Sequence, residues 1–317
     1  MEKKIVVNRC WLLVSSNPER EQALFDWAVE SCLEQNIDLN VIVVLPKIAH
    51  HIFEWLEEHQ HQDIMQKQID FELSRRKQWV DTAKQKEVRL TIEVRFGKLY
   101  YETIQQANEK KAELLIKQSD DLEDRKNFLF QSDDWHLLRK SPVPLLLYRA
   151  QTALPFKSVM ASLDVDIEIQ PYQPSVFNQS LLVWADRFKG SNSVKVVHAW
   201  QSEVENLVKH WDADLNENEL IELNEQLYFQ HKEALDLELK AHSPVGDKTT
   251  VFWCKGEPAD SIFNATLEQK VDLLVLGTLG RSGVPGMLIG NTAEDLLERV
   301  NCSVLAIKPN AFKSPIS

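Results

Sequence analysis

The chain has 317 residues, 44% of them hydrophobic, and a formal net charge of −12. That length and apolar share support a real core and about two domains. The acidic balance argues against binding nucleic acid or an anionic membrane surface through bulk electrostatics, and no apolar stretch approaches the ~20 residues of a membrane span.

The first apolar run, Val6–Val14, reads as a strand. It is interrupted by Asn8 and Arg9 and lacks a small-residue cleavage site, so a signal peptide is not indicated and a cytoplasmic location is expected. A helix over Arg20–Glu34 and a strand over Asn40–Leu45 follow, then a long polar helix over Gln66–Lys86. Next come a strand at Arg89–Arg95, a helix after the Gly97 turn, and a strand at Glu113–Lys117. A helix at Asp134–Lys140 and a strand at Pro144–Arg149 close this half. The pattern breaks at Gln151, Thr152 and Pro155, which places a boundary near 150–156 and predicts domains at 1–150 and 157–309.

The second half repeats the order. Strands are predicted at Ser158–Leu163, Val194–Ala199, Thr249–Lys255, Asp272–Leu276 and Ser303–Lys308. Helices are predicted at Val176–Phe188, Glu217–Ala241, after Gly256, and at Ala293–Val300. A constant offset of 159 residues lays Gly97 on Gly256, Glu113–Ile116 on Asp272–Val275, and Val143–Leu147 on Cys302–Ala306. A fixed offset over about fifty residues argues for an internal duplication. Alternating strands and helices imply a parallel sheet with helices on both faces.

The strongest motif is GTLGRSGVPGMLIGNT, Gly277 to Thr292, between an apolar run and a helix. Two residues separate Gly277 from Gly280 and nine separate Gly280 from Gly290. A strand, a glycine-spaced loop and a helix start bring backbone N–H groups together without side chains in the way, which suits a phosphate. It is neither a P-loop nor G-x-G-x-x-G.

On this glycine pattern, and on DWHLLRKSPVPLL (Asp134–Leu146) closing the first half, the chain resembles the universal stress protein family in its tandem form, most closely the E-type members. The resemblance implies two tandem Rossmann-like domains, flavodoxin-like and similar to the adenine nucleotide alpha hydrolases. Each is a five-stranded parallel sheet of order 3-2-1-4-5 flanked by helices. It also implies ATP or another adenine nucleotide, with or without Mg²⁺, in the second domain. Asp164 would meet the adenine and ribose, and backbone at Ala199 would read the adenine edge. Leu276 and Gly277 would end the fourth strand at the crevice where strand order reverses. Gly280 and Arg281 would lie along the phosphates, while Gly290, Asn291 and Thr292 would present N–H groups. Single-domain relatives pair through the fifth strand, so Pro144–Arg149 and Ser303–Lys308 are expected to make an intra-chain pseudo-dimer. Homodimerisation and protein partners stay open.

The first half departs from the pattern. Gln118, Asp121 and Gln131 stand at the glycine positions, within an acidic segment. Carboxylates repel phosphates there and side chains obstruct the backbone, and Ser15 or Ser16 replaces Asp164. No nucleotide is expected in that domain.

Other features have plainer readings. The four cysteines are scattered, and Cys10, Cys254 and Cys302 read as small buried hydrophobes. His50, His51, His59 and His61 invite a metal reading, but His59-x-His61 sits in a glutamine- and glutamate-rich segment that reads as a solvated helix or loop. Trp135 and His136 read as a packed helix start, Thr292-x-x-Asp295 as a capping pair, and Asp212–Glu222 as a solvated helix approach. No nucleophile elbow, H-E-x-x-H or Ser/His/Asp signature is present, so the chain does not read as an enzyme. A carboxylate such as Asp164 holding a metal on a phosphate leaves weak ATP hydrolysis open. The competing reading is a nucleotide-independent scaffold or carrier of an apolar ligand or protein partner.

Overall fold

The computed structural model describes residues 9–47, 58–119, 133–168, 171–202, 216–243, 245–279 and 289–316. Continuous apolar runs become the central strands. CWLLV forms β1 (Cys10–Val14), whose five residues are all buried because helices cover both faces and strands flank both edges. Then follow α1 (Gln22–Gln35), β2 (Asp38–Leu45), α2 (Glu58–Arg75), α3 (Lys77–Gln85) and β3 (Leu90–Phe96). The half ends with α4 (Leu99–Lys110), β4 (Leu114–Gln118), α5 (Asp133–Lys140) and β5 (Leu145–Tyr148). Its strands lie in the order β3-β2-β1-β4-β5, with each hydrogen-bonded pair parallel.

The second half repeats this with β6 (Val159–Ser162), α6 (Val176–Phe188), β7 (Lys195–Trp200), α7 (Glu217–Ala241) and β8 (Thr250–Lys255). It continues through α8 (Pro258–Glu268), β9 (Leu273–Gly277), α9 (Asn291–Arg299) and β10 (Ser303–Ile307). The order is β8-β7-β6-β9-β10, again parallel, so the expected 3-2-1-4-5 arrangement occurs twice. One compact unit holds the described residues up to Ala150 together with 311–316; the other holds those from Gln151 to Asn310. Within the first unit the tail is tied down by Ser314 Oγ donating to the Lys140 carbonyl at 2.7 Å and Asn108 donating to the Ile316 carbonyl at 3.2 Å.

Boundaries deviate where side chains reach inward. Of the strand predicted at Val6–Val14, residues 6–8 lie outside the described set. The single helix predicted over Gln66–Lys86 is two helices, broken at Arg76. Arg76 is wholly buried, and its guanidinium donates to Glu72 Oε2 at 2.6 Å and to Ser15 Oγ at 2.9 Å. It also donates to the Ser15 carbonyl at 3.3 Å. The Ser15 hydroxyl in turn donates to Glu21 at 2.5 Å, and Glu21 accepts the backbone N–H groups of Ser16 and Asn17 at 2.9 and 3.0 Å. One turn on, Trp79 stacks on Phe25 with ring centroids 4.2 Å apart, fixing α3 against α1. At the break the buried guanidinium reaches the β1 end while the Trp79 ring, one turn on, packs against α1.

Removing one partner of a buried ion pair leaves the other desolvated, so Arg76→Met should cost about 3–5 kcal/mol of stability in the first unit, read by denaturant unfolding. A loss below 1 kcal/mol would refute the network's structural role. A second expectation concerns Lys308, just past β10, where burial lowers its pKa from 10.5 to about 7. Between those values the unfolded chain holds a proton the folded one has released, so stability rises with pH across that window. Lys308→Met should flatten this rise in thermal melts taken from pH 7 to 10.

Candidate functional site

In the second unit a cavity of about 600 Å³ opens at the carboxyl ends of β6 and β9, where strand order reverses. Each side of it is built by a different device. On the β6 side the Leu163 N–H continues the ladder to the Val197 carbonyl at 3.0 Å, after which the chain leaves the sheet at Asp164. The Asp164 carbonyl accepts from Asn178 of α6 at 2.8 Å, and the residue itself is exposed and lines the cavity with Asp166.

The wall at residues 172–175 hangs on one buried carboxylate. Glu238 of α7 is 0% exposed, and its two oxygens accept the Ser175 backbone N–H at 3.0 Å each. The same carboxylate accepts the Tyr172 hydroxyl, and His242 Nε2 lies 2.8 Å away. Ser175 then caps α6, its hydroxyl accepting from Phe177 N and Asn178 N. Sequence reading passed over Glu238. The available signal was its spacing, three and four residues after the buried Leu235 and Ala234, which puts it on the inward stripe of α7.

On the β9 side, Thr278 is fully buried; its N–H donates to the Ile307 carbonyl at 3.0 Å and its carbonyl accepts the Gly290 N–H at 2.9 Å. That last bond corrects one expectation. Gly290 does not offer its own N–H to the cavity, because Thr278 takes it. Gly290 is instead the N-cap of α9 and has no side chain to cap the helix. Asn291, Thr292 and Ala293 open the first turn and line the cavity. The expected Thr292–Asp295 capping pair is also absent: the helix begins before Thr292, and Asp295 pairs with Arg299 at 2.8 Å. Ala199, Leu276 and Gly277 line the cavity, whereas Gly280 and Arg281 lie outside the described residues.

Gly277 has a neighbour the sequence did not reveal. A Cβ there would sit 2.6 Å from Cε1 of the Phe177 ring. The glycine is needed at least for this aromatic contact, whatever else approaches it. With Leu181, Ile262 and Leu296, Phe177 makes the cavity's apolar side.

The first unit fills the equivalent places from within. Ser15 N donates to the Ile42 carbonyl as Leu163 N does to Val197, so Ser16 is the counterpart of Asp164. The Glu21 carboxylate occupies the backbone N–H groups that follow. Asp134, 1% exposed in the first turn of α5, pairs with Lys117 of β4 at 2.8 Å. Trp135 is buried on α5, as a packed helix start requires, and residues 120–132 of the acidic segment lie outside the described set. Among the described residues no His, Cys, Asp or Glu cluster fits a metal ion, and no helix is long and apolar enough to cross a membrane. His50 and His51 fall outside the described residues. No disulfide joins Cys10, Cys32, Cys254 or Cys302.

The model of the Universal stress protein family matches residues 11–149 and again 172–308. The chain belongs to the universal stress protein family. Among its relatives in this family is the Universal stress protein E homolog of Haemophilus influenzae, 30% identical over 202 residues, or 62% of each chain. Universal stress protein E of Escherichia coli K12 is 26% identical over 191 residues, 59% of this chain and 58% of that one. The match thus spans about 60% of these relatives' length. The fold is shared with a universal stress protein from Archaeoglobus fulgidus DSM 4304 at 15% identity and TM-score 0.63, covering 96% of this chain and 98% of that one. A functionally unknown protein from Pseudomonas aeruginosa PAO1 matches equally well, at 20% identity and TM-score 0.63 over 96% and 93% of the two chains.

The contact between Gly277 and Phe177 yields a prediction. Gly277→Ala should destabilise the second unit by about 1–3 kcal/mol through overpacking. Phe177→Leu should recover much of that loss, giving a coupling energy in a double-mutant cycle read by thermal unfolding. Strictly additive losses would show that the ring contact is not the constraint.

Proposed function

We propose that the second unit binds ATP or a related adenine nucleotide and that the protein works as a regulatory or interaction module rather than an enzyme. The observation that carries this is the convergence of the α9 start, Gly277 and Asp164 on one cavity. Gly290 caps that helix with no side chain, so an anion at the cavity can take up first-turn N–H groups of Asn291, Thr292 and Ala293. The apolar side offered by Phe177, Leu181 and Ile262 suits a flat heterocycle, and Asp164 is near enough to the same space to accept from a ribose hydroxyl. We read the first unit as empty of nucleotide, since Glu21 and Asp134 already supply carboxylates where an anion would sit.

The second reading, a carrier of an apolar ligand, draws on the same Phe177 wall. Calorimetric titration with ATP separates the two. ATP should bind the full chain with 1:1 stoichiometry, and Gly290→Asp, which puts a carboxylate at the helix start, should weaken it by at least about tenfold. Absence of ATP binding, together with no nucleotide in native mass spectra of the purified protein, would turn the reading to the apolar carrier.

A further inference from the structure

The second unit contains a polar contact that the cavity's lining does not explain: two imidazoles meet beneath it. His198 of β7 is 1% exposed. Its Nδ1 lies 3.0 Å from the carbonyl oxygen of Leu163, the residue before Asp164, and its Nε2 lies 3.1 Å from Nδ1 of His231 on α7. The ring centroids are 5.1 Å apart. Aromatic rings surround the pair: Trp253 stands edge-on to His198 at 5.7 Å, and Trp200 lies 5.7 Å from His231. Tyr228 of α7 packs on the same aromatic group, 6.1 Å from Trp200 and 5.9 Å from Trp253. The Lys255 ammonium lies over the Trp200 ring at 5.5 Å and reaches Asn224 at 3.5 Å.

Proton counting sets what this arrangement can do. The Leu163 carbonyl only accepts, so His198 Nδ1 carries a proton. The facing nitrogens, His198 Nε2 and His231 Nδ1, share one more. With one proton added to the pair, one of the two facing nitrogens still accepts, so the contact stays intact. A second puts protons on both facing nitrogens and a positive charge on each ring, which breaks the contact.

The first unit anchors the equivalent carbonyl differently. Ser15 O accepts from Arg76, which Glu72 holds at 2.6 Å. A guanidinium keeps its proton at every physiological pH, whereas imidazoles titrate between about pH 5 and 8. The same strand-end carbonyl therefore has a permanent anchor in one unit and a titratable one in the other.

We propose that His198 and His231 are positioning residues that make the second unit's cavity proton-sensitive. The neutral and singly protonated pair holds His198 against α7, and through its Nδ1–H the Leu163 carbonyl and Asp164; the doubly protonated pair drives the two rings apart, and His198 carries the carbonyl it still binds, and that strand end, with it. The ligand consequence rests on the nucleotide reading above, but the latch itself does not.

Two measurements on the full chain test it. Without nucleotide, the backbone amide signals of Leu163 and Asp164 should shift between pH 8 and about pH 5.5 with the histidine ring nitrogens, and should stop doing so in His231→Gln. His231→Phe, which keeps the ring packing, serves as a second variant with the same expectation. With ATP, affinity should fall between those pH values by about tenfold more in the unmodified chain than in either variant. Leu163 and Asp164 amides unmoved by pH, with equal pH dependence of ATP affinity in all three proteins, would overturn the latch. Absence of ATP binding at pH 8 would overturn the nucleotide reading alone, and the amide titration would still decide the latch.

Discussion

A parallel sheet has a polar problem at the carboxyl end of its central strand. There the ladder stops, yet helices still exclude water, so the last carbonyl needs a donor brought from elsewhere. In this protein much of the architecture around each sheet's mouth answers that need. Arg76 breaks a helix to reach Ser15, and the residues packed around it, Trp79 against Phe25 and Glu72 against the guanidinium, follow from its position. In the second unit His198 meets the same need from the neighbouring strand, which leaves the space above Asp164 open.

That difference separates two sister folds more clearly than sheet order does. The strand orders are the same. What differs is where the charges are held. The first unit carries Glu21, Glu72, Arg76, Lys117 and Asp134 around its crevice, paired with one another or with backbone. The second places its buried carboxylate, Glu238, behind the wall rather than in the mouth, and opens the helix after the mouth with a glycine. In the first unit charges already satisfied by one another or by backbone take up donors at the crevice, whereas a wall held from behind leaves room for something else.

Much of the fold was legible in the chain. Apolar strand runs, the 159-residue offset and the glycine spacing are local patterns, and local patterns survive folding. Val176–Phe188 and Glu217–Ala241 matched their helices end to end. What escaped was long-range pairing. Glu238 meets Ser175 across 63 residues, Arg76 meets Ser15 across 61 and His198 meets His231 across 33. No period or spacing encodes such partners: the inward stripe of α7 places Glu238 inside but does not say what it meets there. The Gly290 N–H was misassigned for a related reason. A glycine at a helix start reads as an open donor, and only the fold reveals that Thr278 already uses it.

His231 and Glu238 lie seven residues apart on α7, just short of two full turns, so they face the same way about 10 Å apart along the axis. One governs the strand end below the cavity and the other holds the wall at Tyr172 and Ser175. A helix slides or rolls as one body. The floor and the wall of the cavity therefore share a single mechanical coordinate, and neither can shift without the other being felt.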